Sequence, residues 1–281
     1  MCDSRANKLG WAGSSSGLFR KTLAGAGRFA REQWNEVQYL AAVLGTTLFL
    51  SAQPQHWRRT TREAFKWQFF FFGVESTRFI FAVAVMVGLS VVVQLGVWTG
   101  KLGQSQKLGP LLVVVIAREL GPLFANFVLI VRGGSAIVTE LGIMKVGGEV
   151  RALEAQGLDP LLFLVMPRVL ALAAASFCLT VIFVLVAFVS GYGFGRFFGH
   201  ANVDPAVFLS SVFKAARPSD AIAFLVKCLL PALLTAVICS TEGLSVEGGV
   251  TQVPLAAKRA LTRSLFTLYR TSVAVSVLAY A

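Results

Sequence analysis

The chain has 281 residues, of which 56% are hydrophobic and only 14% charged, with a mean hydropathy of +0.70. Several apolar runs are long enough to cross about 30 Å of hydrocarbon, so a soluble fold, which would have to hide all of them in one modest core, is set aside in favour of an all-α integral membrane protein. The formal charge is +12, but the basic residues flank hydrophobic runs and accompany no nucleic-acid motif, which argues against a nucleic-acid partner.

Eleven of the 26 Lys and Arg residues precede Phe79, a positive-inside signal that predicts a cytoplasmic N-terminus near anionic headgroups. Residues 1–33 are rich in Gly, Ser and basic residues, lack the apolar core of a signal peptide, and read as a disordered cytoplasmic tail. Trp34 to Ala52 is apolar but short and is closed by Pro54, which suits a helix lying in the interface. Residues 34–78 as a whole read as that helix followed by an elbow in which Arg58, Arg59, Arg62 and Lys66 interleave with Trp57, Phe65 and Trp67 at headgroup level.

About five transmembrane helices follow, in a membrane domain over 79–281. The first covers Phe79 to Trp98. The second, from Leu108 to about Val146, is too long for one straight crossing, and Gly109-Pro110 and Gly121-Pro122 are its natural break points. The third covers Arg168 to Tyr192. An external segment then holds a short helix over AVFLSSVFKAA, and the fourth span runs from Ala221 to Cys239 with Lys227 and Pro231 inside it. A Gly-rich cytoplasmic loop leads to a fifth span from Ser264, which places the C-terminus outside.

Arg118 and Glu119 stand about ten residues into the second run, where each charge costs on the order of 3 kcal/mol. Being about 100° apart on a helix they cannot pair well with each other, so both need outside partners. Two readings stay open: they line a substrate path with Asn126 and Trp98, or they stabilise a helix contact through Lys227 or the backbone freed at Gly121-Pro122. Arg132, nearer the cytoplasmic interface, is expected to snorkel to headgroups. Gly121, Pro122, Gly133, Gly134 and Ser135 suit close helix approach. Beyond them Glu140, Lys145, Glu149, Arg151 and Glu154 alternate with Leu141, Met144, Val146, Val150 and Leu153 at helical spacing, predicting an amphipathic cytoplasmic helix over about 139–158 that docks a partner.

Cys2, Cys178, Cys228 and Cys239 form no CxxC pair, and the last three read as small core residues; His56 and His200 are far apart, so no metal centre or catalytic triad is expected. No phosphate-binding loop is present, so nucleotide hydrolysis would have to come from another polypeptide.

RELGP at Arg118 to Pro122, RGGSAIVTELGIMKV at Arg132 to Val146 and ALEAQGLDPLLFLVMPRVLAL at Ala152 to Leu172 resemble the MlaE/YrbE permease family, membrane subunits of ABC-type lipid transporters associated with MCE proteins. Weaker matches at VDPAVFLSS and EGLSVEGG extend the resemblance over roughly Gly73 to Arg263. It implies a non-catalytic subunit of a bacterial inner membrane that moves phospholipid or a related lipid, with a second permease copy as partner in a homodimer. It further implies a cytoplasmic ABC ATPase carrying ATP and Mg and docking around Glu140, Gly142, Lys145, Glu149, Leu153, Glu154 and Gly157, an external MCE-domain lipid-binding protein, and lipid held near Arg118 and Glu119. No cofactor is expected on this chain. Pro254, Lys258, Arg259 and Arg270 depart from the family's pattern. The alternative function is an ion- or proton-coupled transporter or channel that titrates Glu119.

Overall fold

The computed structural model describes residues 38, 40–47, 49, 51, 59–101, 113–197 and 218–280, and the chain divides into two units, Met1–Gly45 and Thr46–Ala281. The described positions between 38 and 51 are helical, as expected, whereas the 1–33 tail, the Gly109-Pro110 break point and the external helix expected over AVFLSSVFKAA lie outside the described residues. Among the described residues there is no strand.

Helix α1, Arg59–Lys101, is one continuous element of 43 residues. The basic-aromatic stretch expected to form an elbow, and the first span, are the two halves of this helix. Its interior holds no Pro, and an isolated Gly such as Gly73 costs only about 1 kcal/mol, too little to end a helix packed on both sides of it.

The second run stays helical from Val113 through the expected break at Gly121-Pro122. A π-helical turn, Val113–Leu120, leads into α2, Gly121–Leu129; a second π-helical turn, Ile130–Gly134, leads into α3, Ser135–Val146. Pro122, in the first turn of α2, is therefore absorbed by a change of helical register and produces no break. The third run uses the same device: the π-helical Leu161–Val165 precedes α5, Met166–Phe197, which carries Pro167 in its first turn. Asp159 starts that run by accepting the Leu161 N–H at 2.9 Å.

Between these runs lies α4, Glu149–Ala155. The single amphipathic helix expected over 139–158 is in fact two helices, because Gly148 turns the chain at φ 80° and Gly157 turns it again at φ 73°.

Helix α6, Pro218–Leu244, and α7, Val253–Tyr280, complete the unit. Most of the loop expected before Ser264 is helical, and Pro254 is at home in the first turn of α7. Four stretches, Thr61–Leu95, Val114–Val146, Leu161–Phe194 and Asp220–Leu244, are long and apolar enough to cross a membrane. Helix α7 is more polar, yet its contacts measure the same thickness: Val253 meets Gly142 at one end and Ser276 meets Glu119 at the other. It buries the stripe Ala256, Ala260, Ser264 and Leu268, at helical spacing.

Small residues let these helices touch. A Cβ on Gly88 would lie 2.5 Å from the Ala187 carbonyl oxygen, and one on Gly191 would lie 2.4 Å from Val92 Cγ2, so α1 and α5 run parallel with backbones in near contact. Gly121 faces Val184, Gly133 faces Leu172 and Phe72, and Gly134 faces Cys239, so these three predicted packing positions are brought together with neighbours. Ser135 instead turns its hydroxyl back onto the Val131 carbonyl at 2.6 Å. Cys228 and Cys239 are buried as expected, but Cys178 is exposed on α5, outside the core assigned to it.

Candidate functional site

The polar residues of the apolar spans gather where the Val113–Leu120 turn and α2 meet α5, α6 and α7. Arg118 Nη2 lies 2.6 Å from Asp220 Oδ2, and Lys227 Nζ lies 2.6 Å from Glu119 Oε1. Ser276 of α7 also donates to Glu119 Oε1, at 3.0 Å. Each of the two neighbouring charges on the second run thus takes an opposite charge from α6, and Asp220 and Lys227, seven positions apart, share a face of that helix. The site is formally neutral, which is what makes four charges tolerable at this depth.

Two prolines explain the rest of the geometry. Pro122 has no N–H to return to the carbonyl of Arg118 four residues earlier, and Lys227 Nζ donates to that oxygen at 3.0 Å. Pro231 likewise leaves the Lys227 carbonyl without its helical donor. The Asn126 amide donates there at 3.3 Å, while also donating to the Pro122 and Cys228 carbonyls. Ser176 of α5 closes the group by donating to Asn126 Oδ1 at 3.1 Å and to the Cys228 carbonyl at 3.0 Å.

Of the four residues expected to line a cavity, the structure brings Arg118, Glu119 and Asn126 together but gives them different exposures. Asn126 is 1% exposed and joins helices; Glu119, with its side chain 42% exposed, remains accessible. Trp98 lies on α1, and its side chain is outside what the structure describes. Glu119 takes Lys227, one of the partners considered for the pair, whereas the Arg118 side chain takes Asp220. Asp220, Ser176 and Ser276 were missed, because a single Asp at a helix start and serines in apolar runs carry no signal of their own until the helices are assembled.

At the other end, Arg168 of α5, only 6% exposed, pairs with Glu140 of α3 at 2.8 Å, and Gln68 of α1 donates to Glu140 at 3.3 Å. Glu140, expected on the partner-docking face, is thus a tie between three helices. Arg132 pairs with Glu75 at 2.8 Å, where snorkelling to headgroups was expected. On α6, Glu242 is buried and is held by Arg263 and Arg259 of α7, which gives the unexpected Arg259 a role within the fold. Gly142 is buried against Val253 and Val246. Of the remaining docking candidates, Glu149, Glu154 and Gly157 are exposed, Lys145 and Leu153 are half-buried, and Val150, 2% exposed, is the anchor that holds α4 to the body. Among the described residues no group of His, Cys, Asp or Glu is arranged to hold a metal.

The sequence profile described as Permease MlaE matches residues 65–278. The chain is 27% identical over 216 residues to the chloroplast protein TRIGALACTOSYLDIACYLGLYCEROL 1 of Arabidopsis thaliana, covering 76% of this chain and 59% of that one, so it spans less than two thirds of that relative. It is 29% identical to a probable ABC transporter permease of Synechocystis sp., covering 70% of this chain and 74% of the relative, and 26% identical to one of Rickettsia prowazekii, covering 70% and 75%. With the profile running from the first turns of α1 nearly to the end of α7, the chain belongs to the MlaE permease family of multi-pass membrane proteins.

Proposed function

We propose that this chain is the membrane subunit of an ATP-driven transporter that moves phospholipid or a related lipid, with ATP and Mg bound by a separate ABC ATPase. The observation that carries this reading is α4: a short helix, exposed except for buried Val150 and half-buried Leu153, suspended between two left-handed glycines at the end of the helix that also bears the charged cluster. Glu149, Arg151 and Glu154 present charge to a partner there, and displacement of α4 is passed along α3 and α2 to Arg118 and Glu119. The name of the Arabidopsis relative is that of a glycolipid, which supports lipid as the cargo class, and the relatives from Synechocystis and Rickettsia are named probable ABC transporter permeases, which supports the role of membrane subunit.

On this reading a second permease copy faces the first, lipid enters beside the accessible Glu119, and an external MCE-type protein exchanges it. The N-terminus is cytoplasmic, the C-terminus external, and the membrane is a bacterial inner membrane. The test is co-purification from the native membrane followed by reconstitution. An ATPase and bound lipid should accompany the chain, and Glu149→Lys should abolish stimulation of that ATPase by lipid while the protein still inserts. Recovery of the chain alone, conducting ions without ATP, would overturn the reading.

A further inference from the structure

A second charged site lies apart from the Arg118–Glu119 cluster, on the outer surface of α1. Arg132 Nη2 is 2.8 Å from Glu75 Oε1, and Arg132 Nη1 donates to the Glu75 carbonyl at 3.2 Å. Both side chains are accessible, 39% and 51% exposed. Among the described residues Glu75 Oε2 has no partner, and exposed Arg78, one turn further along α1, makes no hydrogen bond or ion pair.

Two cavities meet at this pair. One, of about 300 Å³, is lined by Phe72, Ser76, Arg132 and Ser135; the other, of about 330 Å³, is lined by Trp67, Phe70 and Arg78; Phe71 and Glu75 border both. The depth of the site follows from the sequence. Phe79 to Gly100 contains no charged residue, enough helix for about 30 Å of hydrocarbon. Glu75 and Arg78 therefore stand at the headgroup layer.

We propose that this is a binding site for a phospholipid with a primary-amine headgroup, separate from the transport path. The two guanidinium groups of Arg132 and Arg78 take the phosphate, which Arg suits geometrically. Glu75 Oε2 accepts an N–H from the headgroup ammonium. Exposed Val131 and Phe79, on the hydrocarbon side of the pair, receive the acyl chains. A quaternary ammonium has no N–H for Glu75, and a purely anionic headgroup would be repelled by it, so the charge arrangement selects the amine. The alternative occupant of this face is a second copy of the chain.

The site is tested on the full chain alone in mild detergent, without ATP or an ATPase, by equilibrium binding of phosphatidylethanolamine carrying a fluorescent acyl chain, in competition with phosphatidylglycerol and phosphatidylcholine. The wild type should prefer the ethanolamine lipid about tenfold, a difference one charge-assisted hydrogen bond supplies. Glu75→Gln should reduce that preference to about twofold or less. Arg78→Gln, which disturbs no contact of the fold, should weaken ethanolamine and glycerol lipids alike, because it removes only a phosphate contact. Equal affinity of wild type, Glu75→Gln and Arg78→Gln for the ethanolamine lipid would overturn the proposal. So would cross-linking between copies through Cys introduced at position 78, with lipid excluded from the face.

Discussion

Lys227 and Arg118 are joined through a carbonyl rather than through their charges: the Lys227 ammonium donates at 3.0 Å to the Arg118 backbone oxygen that Pro122 leaves without a helical donor. The same ammonium neutralises Glu119. One buried side chain thus serves both the backbone irregularity and the charge, while Asn126 performs the reciprocal service for the carbonyl of Lys227 opposite Pro231. A helix irregularity and an intramembrane charge, each unfavourable alone, are made compatible by being placed together.

Lys227→Met should therefore destabilise the protein by about 1 to 3 kcal/mol: it strips the Arg118 carbonyl of its donor, while Glu119, 42% exposed, loses its counter-charge but can turn partly to water. Adding Glu119→Gln should restore part of that loss, because only the charge is then relieved. Thermal unfolding in detergent of both variants checks the order; equal stability of Lys227→Met and wild type would contradict the assignment.

The Glu140–Arg168 pair should respond asymmetrically. Arg168 is 6% exposed and Glu140 48%, so Glu140→Ala leaves a buried cation unpaired and should cost about 3 kcal/mol, whereas after Arg168→Met the carboxylate can turn to water at a smaller cost. The double variant should resemble Arg168→Met. Unfolding midpoints of the three proteins provide the comparison.

Gly88 and Gly73 sit in the same helix but should differ in their response to substitution. Gly88→Ala places a methyl group 2.5 Å from the Ala187 carbonyl oxygen and should destabilise by about 1 to 3 kcal/mol, since two backbones must separate. Gly73→Ala meets nothing within 4 Å and should stabilise by up to about 1 kcal/mol through helix propensity. Paired melting curves decide it.

Gly148→Ala and Gly157→Ala should each cost about 1 kcal/mol of backbone strain, as neither Cβ would touch a neighbour. If α4 docks the ATPase, these variants should insert normally and lower lipid-stimulated hydrolysis, because the angle of α4 is set by those two residues. Wild-type hydrolysis in both would separate α4 from coupling.

Much of this was legible in the sequence because hydrocarbon imposes simple rules. Apolar length gave the helices, and the adjacent Arg118 and Glu119 announced that partners must exist, since neighbouring residues on a helix point apart. The prolines and glycines marked irregular places without revealing their form. Whether Pro122 breaks a helix or is absorbed by a π-helical turn depends on whether another chain segment supplies a donor, and that donor is Lys227, more than a hundred positions away.

By itself the sequence determined an all-helical membrane protein with polar groups buried in its second run, because burying charge in an apolar stretch is costly enough to be conspicuous locally. Only the tertiary structure decided which residue answers each charge, that Glu140 ties helices together while α4 stands free, and that α7 matches the thickness of its neighbours. Those outcomes depend on the register between helices, which is set by close contacts such as Gly88 with Ala187 and Gly134 with Cys239, and no local pattern along one helix encodes the position of another.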